Sequence, residues 1–299
     1  MGFILNPLYN IVSGIMIAIH KVLSPIFGAN SGVTWSLSIM GLVVLIRIIL
    51  IPLFVKQIKS QRAMTALQPQ MKAIQAKYKD DRQKQSEEMM KLYKEHKTNP
   101  LASCFPILAQ APIFFALFTV LNGIGKNPPV KHGVLTQEDV VSAANAKFFG
   151  APISDTFLGT NITTVKIVTI LLIALMSLTT FTTQRQLMTK GMPKMDASNN
   201  MMLQQQKIML YAFPLIFAIS GVNFPIGVLI YWSTTNIWTW GQQFYVIKRN
   251  PTPGSPAYEE LQRKRAKQSG VVEESPENPE GVTEEKGQRQ QPKKKKKKK

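Results

Sequence analysis

The 299-residue chain contains one cysteine, Cys104, so an internal disulfide is excluded; beside an apolar run, it reads as a small packing residue and reports no compartment. Its three histidines, His20, His96 and His132, avoid the middle of every apolar run and show no metal-like spacing, which sets metal chemistry aside. Neither GxSxG nor HExxH occurs, so an intramembrane hydrolase would lack its positioned nucleophile or metal. No obvious internal repeat with paired broken helices is present, which weighs against a transporter or channel using a buried charge as its substrate site. The opening MGFILNP carries no basic residue and so lacks the n-region of a cleavable signal peptide. No cofactor is called for, and the chain reads as a protein without a covalent catalytic step.

What the chain does have is long apolar runs and a formal charge of +19. Length alone suggests two domains, but the clustering of apolar residues points to an all-α polytopic membrane protein without a separate soluble core. The run Trp35–Val55, WSLSIMGLVVLIRIILIPLFV, is about 30 Å long as a helix, the thickness of a hydrocarbon core, and it carries Arg47 inside it. Nothing in the run neutralises that charge. An arginine at that depth costs about 2.5–3.5 kcal/mol on insertion scales, so its side chain should face water or a protein partner. It could instead snorkel to lipid phosphate at the inner interface, but that interface is more than two turns away, which favours a polar cavity inside the membrane.

Residues 1–32 form an N-terminal element in which Leu5, Leu8, Val12, Ile15, Ile19, Val22 and Ile26 recur at spacings of three and four. Asn6, Asn10, Ser13, His20 and Lys21 lie mostly off that stripe, so a helix lying on the membrane is expected, with a signal anchor as the competing reading. Residues 33–55 are the first span. Residues 56–100 carry eleven Lys or Arg against five Asp or Glu, with Met64, Leu67, Met71, Ile74 and Tyr78, then Met89, Leu92 and His96, at helical spacing. This predicts a helical hairpin whose first arm Pro69 divides in two. Residues 101–121 form a second span, in which Gln110 is suited to bonding across helices. Residues 122–163 read as a loop with a short helix near Gln137–Lys147. A third span, 164–183, is followed by a polar linker, 184–207. Residues 208–246 hold the fourth and fifth spans, an antiparallel pair separated only by Asn223 and Phe224. Residues 247–299 read as a disordered basic tail.

With five spans, the segments on one side carry thirty Lys and Arg and those on the other carry five, so the N-terminus is expected outside and the hairpin, linker and tail in the cytoplasm of a multi-pass cell-membrane protein. The tail contains Arg263, Lys264, Arg265 and Lys267 and ends in Lys293, Lys294, Lys295, Lys296, Lys297, Lys298 and Lys299. Such a cluster attracts anionic lipids or nucleic acid.

Four strings in order, LIRIILIPLFVKQIKSQRAM, LQPQMKAIQAKYKDD, KLYKEHKTNPLASCFPILAQAPIFFALF and FPIGVLIYWSTTNIWTWGQQ, resemble the YidC, Oxa and Alb family of membrane insertases over about residues 32–248. The resemblance implies five transmembrane helices, a cytoplasmic helical hairpin, an amphipathic helix on the outer surface, and a hydrophilic groove open to cytoplasm and lipid but shut outside. It implies that Arg47 is the groove arginine and that Tyr231 and Trp232 contact the client. An interfacial aromatic belt is the alternative for that pair, though six residues past Pro225 they lie toward mid-depth. Gln110, Thr180, Thr183, Gln184, Ser233 and Asn236 are expected as polar lining or as ordinary interhelical bonding groups. The implied activity is insertion and folding of nascent membrane proteins, alone or with the Sec translocon, with the tail holding the ribosome through its RNA. Ala102 and Ser103 stand where many members have glycines, and the chain lacks the large outer domain of some bacterial members, which suggests a short bacterial form.

Overall fold

The computed structural model describes residues 2–96, 98, 105–192 and 200–268. The chain divides into a unit of residues 1–261 and a second of residues 262–299. Its described part is helical almost throughout: α1 (Gly2–Phe27), α2 (Gly32–Ile49), α3 (Ile51–Ala66), α4 (Gln68–Lys77), α5 (Arg82–Glu95), α6 (Phe105–Ile124), α7 (Gln137–Asn145), α8 (Thr163–Gln186), α9 (Asn200–Gly221), α10 (Ile226–Arg249) and α11 (Pro256–Gln268), with two-residue strands β1 (Lys147–Phe148) and β2 (Ala151–Pro152). Leu5–Phe27, Gly32–Ile49 and Thr163–Gly191 are long and apolar enough to cross a membrane; Gln110–Ile124 and Leu210–Gly221 are apolar but shorter.

The run Trp35–Val55 is not one helix. Pro52 has no N–H to donate to the Ile48 carbonyl, so α2 stops at Ile49, the Leu50 amide reaches Ile46 O at 3.0 Å, and α3 starts at Ile51. Pro69 acts as expected: α3 ends at Ala66 and α4 restarts at Gln68 with the proline in its first turn. Tyr93 Oη lies 3.9 Å from Met71 Sδ, and Gln85 Nε2 donates to Gln75 O at 3.3 Å, so α4 and α5 run antiparallel. Asp81 opens α5 by accepting from the Lys84 amide at 3.0 Å.

The polar string after Phe181 does not end α8. The hydroxyls of Thr179, Thr182 and Thr183 donate to the carbonyls of Leu175, Leu178 and Thr179 at 2.7, 2.8 and 2.6 Å, so the helix satisfies them internally and runs to Gln186. A π-helical turn, Leu187–Gly191, follows.

Residues 125–162 close one end of the bundle. Within them α7 stands close to where the sequence places a helix, held by a capping box between Thr136 and Asp139. Leu135, Val140, Ala143, Ala146, Ala151 and Ile153 are all buried. The amides of Ile226 and Gly227, which a helix start leaves without internal partners, donate to Asp155 O at 3.0 Å and Ile153 O at 2.8 Å. Trp35, fully buried at the start of α2, donates from Nε1 to Ser142 Oγ at 3.1 Å, and that hydroxyl donates to Asn30 Oδ1 at 2.6 Å. Gly32 packs directly on the Lys147 backbone.

The face that α1 buries differs from the stripe read in the sequence. Val12 and Met16 are buried, but so are Ser13 and His20, whereas Val22 and Ile26 are 71% and 70% exposed. The polar pair turns inward because it has partners there: Ser13 Oγ accepts from the Val134 amide at 3.0 Å, and His20 Nε2 donates to Ala29 O at 2.8 Å while its ring lies 4.1 Å from that of Trp35. The exposed residues of α1 are of both kinds, Asn6, Asn10 and Lys21 as well as Ile11, Val22 and Ile26.

Part of the expected disordered tail is folded. Helix α10 continues to Arg249, and after a turn at Ser255 the chain forms α11. The Ser255 hydroxyl accepts from the Tyr258 amide at 3.3 Å, Glu259 sits in the first turn, and Arg265 and Lys267 sit in the last, which matches the helix dipole at both ends. Alternating acidic and basic blocks, read as a mark of disorder, are here arranged to favour a helix. Lys293–Lys299 lie outside the described residues.

Candidate functional site

Arg47 comes one turn before the break at Leu50, close to where α2 hands over to α3. It is half-buried, and its guanidinium carbon lies 5.4 Å from the centroid of the Phe54 ring, which α3 supplies seven residues on. Helices α2, α6, α8, α9 and α10 contain no Asp or Glu at all, so no carboxylate within the bundle can balance it.

A cavity of about 470 Å³ is lined by Arg47, Phe54 and Gln57 from α2 and α3, Gln110, Ala111, Phe114 and Phe115 from α6, and Tyr231, Trp232, Thr235 and Thr239 from α10. Four of the five expected groove residues, Arg47, Gln110, Tyr231 and Trp232, thus face one space. Gln110 lines the cavity, and its Oε1 is buried without a hydrogen-bond partner among the described residues. Gln184, the fifth, lies at the end of α8 and does not line the cavity. Nor do Thr180, Thr183, Ser233 and Asn236. The Thr183 hydroxyl is bound to its own helix, while Thr180 Oγ1, Ser233 Oγ and Asn236 Nδ2 are buried without partners among the described residues.

The wall toward the capped end is aromatic. Trp232 stacks on Phe114 with ring centroids 5.8 Å apart and planes 17° apart, and it meets Phe224 and Phe217 edge-on at 5.1 and 5.5 Å. Phe118 continues the contact to Phe224 at 5.5 Å. Phe115, 56% exposed, carries the lining out to the surface of the bundle, so the cavity meets its surroundings sideways. One region therefore offers a cation, neutral hydrogen-bonding groups and an apolar aromatic wall.

Sequence reading did not single out Phe54, Gln57, Phe114, Phe115, Thr235 or Thr239. The signal was available: Thr235 and Thr239 follow Tyr231 at intervals of four, and Phe114 follows Gln110 by four, so each shares a helix face with a residue already singled out. Of the expected ribosome-binding residues, Arg263, Lys264 and Arg265 lie on α11.

Comparison with known proteins agrees with this arrangement. Residues 26–253 match the family model described as 60Kd inner membrane protein. The chain is 54% identical over 255 residues to the membrane protein insertase YidC of Streptomyces avermitilis, covering 82% of this chain and 59% of that protein. It is 38% identical over 304 residues to the membrane protein insertase YidC of Tropheryma whipplei strain TW08/27, covering 97% of this chain and 94% of that one. A solved structure described as an active YidC insertase with its first transmembrane domain resolved superimposes with a TM-score of 0.50 at 25% identity, over 79% of this chain and 46% of that one. Helical and membrane-embedded, with 228 of its residues under one family model, the chain belongs to the 60Kd inner membrane protein family, that of the YidC insertases.

Proposed function

We propose that the chain inserts newly made proteins into the cell membrane and assists their folding, using the cavity around Arg47 as the entry for a client's hydrophilic tail. The observation that carries this reading is a cation inside the bundle with no carboxylate partner in the neighbouring spans, set against an aromatic wall. Placing an Asp at mid-membrane costs about 2.5–3.5 kcal/mol. Bringing it within about 4 Å of Arg47 recovers about 4 kcal/mol at an effective dielectric of about 20. One arginine therefore offsets the cost of one client carboxylate, and Phe114, Tyr231 and Trp232 receive the client's apolar segment. No bond is made or broken.

In this reading the five spans are α2 with the start of α3, α6, α8, α9 and α10. Helices α3–α5 form the cytoplasmic hairpin, and the capped end faces outward, which shuts the cavity on that side. Helix α1 lies along the outer surface and does not cross. Support comes from its contacts: Tyr9 lies 5.7 Å from His132, Ser13 bonds Val134, and His20 stacks on Trp35, so positions along much of its length all touch the capped end. A crossing helix would carry Tyr9 about 27 Å from Phe27 toward the opposite face. The basic tail holds the ribosome, anionic lipids neutralise the cytoplasmic surface, and the Sec translocon is a partner for some clients.

The test is insertion of a radiolabelled single-span protein with an acidic outer tail into liposomes holding only the purified protein. Wild type protects the tail from protease, Arg47→Ala loses at least tenfold, and Arg47→Lys keeps most of the activity. Equal insertion by all three removes Arg47 from the mechanism.

A further inference from the structure

A second cavity, of about 550 Å³, opens between α3 and α10. Its lining is Ile51, Phe54, Val55 and Ile58 on one side and Ile237, Trp238, Gly241, Gln242, Tyr245 and Val246 on the other. Trp238 Nε1 donates to Gln242 Oε1 at 3.0 Å, and apart from these two and Tyr245 the walls are apolar. Phe54 lines both cavities and separates this one from Arg47. Ile51, Val55, Ile237 and Tyr245 are exposed, which places the cleft on the outer surface of the bundle.

Helix α10 runs away from the capped end and reaches a cation one turn past the cleft. Arg249, exposed, follows Tyr245 by four and Val246 by three on the same side of α10. Neither 51–62 nor 237–249 contains an Asp or Glu. An apolar slot with a cation at one mouth fits an amphiphile with an apolar chain and an acidic head.

We propose that this cleft holds an acyl chain of an anionic phospholipid of the cytoplasmic leaflet, with the headgroup phosphate on Arg249. The proposal rests on the orientation given under Proposed function. Size decides against a client helix: a cylinder about 10 Å across fills 550 Å³ in about 7 Å of length, barely more than one turn. A single acyl chain is thinner and fits a slot in the usual ligand range of about 300–1,000 Å³. Bilayer tails are as apolar as leucine, so the slot itself does not choose between lipids. The choice falls to Arg249, which favours an anionic head about fivefold.

Trp238 in the wall reports occupancy. Full-length protein is placed in phosphatidylcholine vesicles containing a rising fraction of lipid brominated on its acyl chains, as phosphatidylglycerol or as phosphatidylcholine, and the signal of Trp238→Phe is subtracted from that of wild type. Half-quenching should come at a fraction at least fivefold lower for brominated phosphatidylglycerol. Gly241→Leu, at a helix position whose Cβ would meet nothing within 4 Å, fills the slot without disturbing the backbone and should abolish the preference. Arg249→Gln should reduce it about fivefold. Identical curves for the two lipids in wild type, or a preference that survives Gly241→Leu, would overturn the proposal. Quenching by a brominated client segment that neither lipid displaces would assign the cleft to the client and overturn it equally. Insertion by wild type measured in the same vesicles separates the two readings: no lipid preference with insertion present sinks the lipid site alone, and a lipid preference with no insertion above empty vesicles sinks the proposed function alone.

Discussion

Two glycines in helices, changed in the same way, should move stability in opposite directions. At Gly32 a Cβ would overlap the Lys147 carbonyl outright and approach the Lys147 nitrogen to 2.7 Å. All three nearest atoms are backbone, so no side-chain rotation relieves the contact, and the β1 segment must move by about 1.5 Å to restore ordinary separation. Overpacking of this kind costs about 1–3 kcal/mol, and rigid neighbours place Gly32→Ala near the top of that range. At Gly241 nothing lies within 4 Å, and replacing a mid-helix glycine by alanine gains up to about 1 kcal/mol. With about 2–4 °C of melting temperature per kcal/mol, Gly32→Ala should melt about 6–12 °C below wild type and Gly241→Ala no lower than wild type. Tryptophan fluorescence of the detergent-solubilised protein, heated at one fixed rate, measures both, and Trp35 lies three residues from the first change. A Gly32→Ala protein melting within 2 °C of wild type would refute the close approach of α2 to β1.

Ser13→Ala removes the acceptor for the Val134 amide and should cost about 1–3 kcal/mol, seen as faster cleavage in the 130–135 segment by an added protease. Trp35→Phe keeps most of the buried ring but leaves Ser142 without its donor, so a loss of about 1 kcal/mol and a small drop in melting temperature are expected. His132 is held below the ordinary histidine value of 6.5, first by partial burial and second by the nearby Lys126. The folded state thus favours its neutral form: stability should be full above pH 6.5 and fall as the pH drops from there through the lowered value. Melting temperatures compared at pH 7.5 and 5.5 should differ less for His132→Gln than for wild type.

The apolar segments were legible because hydropathy is a local property of the chain. So were the division at Pro69, which follows from a missing donor, and the short helix after Thr136, which carries its own capping residues. The inward turn of Ser13 and His20 was not legible, because their partners lie at Val134, across the fold, and at Ala29, in the turn after the helix. The continuation of α8 past residue 183 to Gln186 was missed for a related reason. A polar string reads as solvent-seeking until its hydroxyls are seen to bond the carbonyls one turn back. In the cavity, Arg47 stood out by residue type and Tyr231 and Trp232 by the family resemblance, whereas Phe54 and Thr235 are ordinary residues whose importance comes from the helix face they share. Gln184 stood out by type too, yet its position along α8 keeps it off the lining.

The bonds from Ile226 and Gly227 to Asp155 and Ile153 join segments about seventy residues apart in the chain. Loop closure over that distance must precede them, so the cap cannot lock until the last helical pair is in place. A nascent copy of this protein would expose α2, α6 and Arg47 well before its final hairpin emerges from synthesis, with the lid over them still unfastened. Its own maturation therefore has a defined last step, the docking of the α10 start beneath the lid, and until then the half-made chain is itself an unfinished membrane protein with a polar side unsealed.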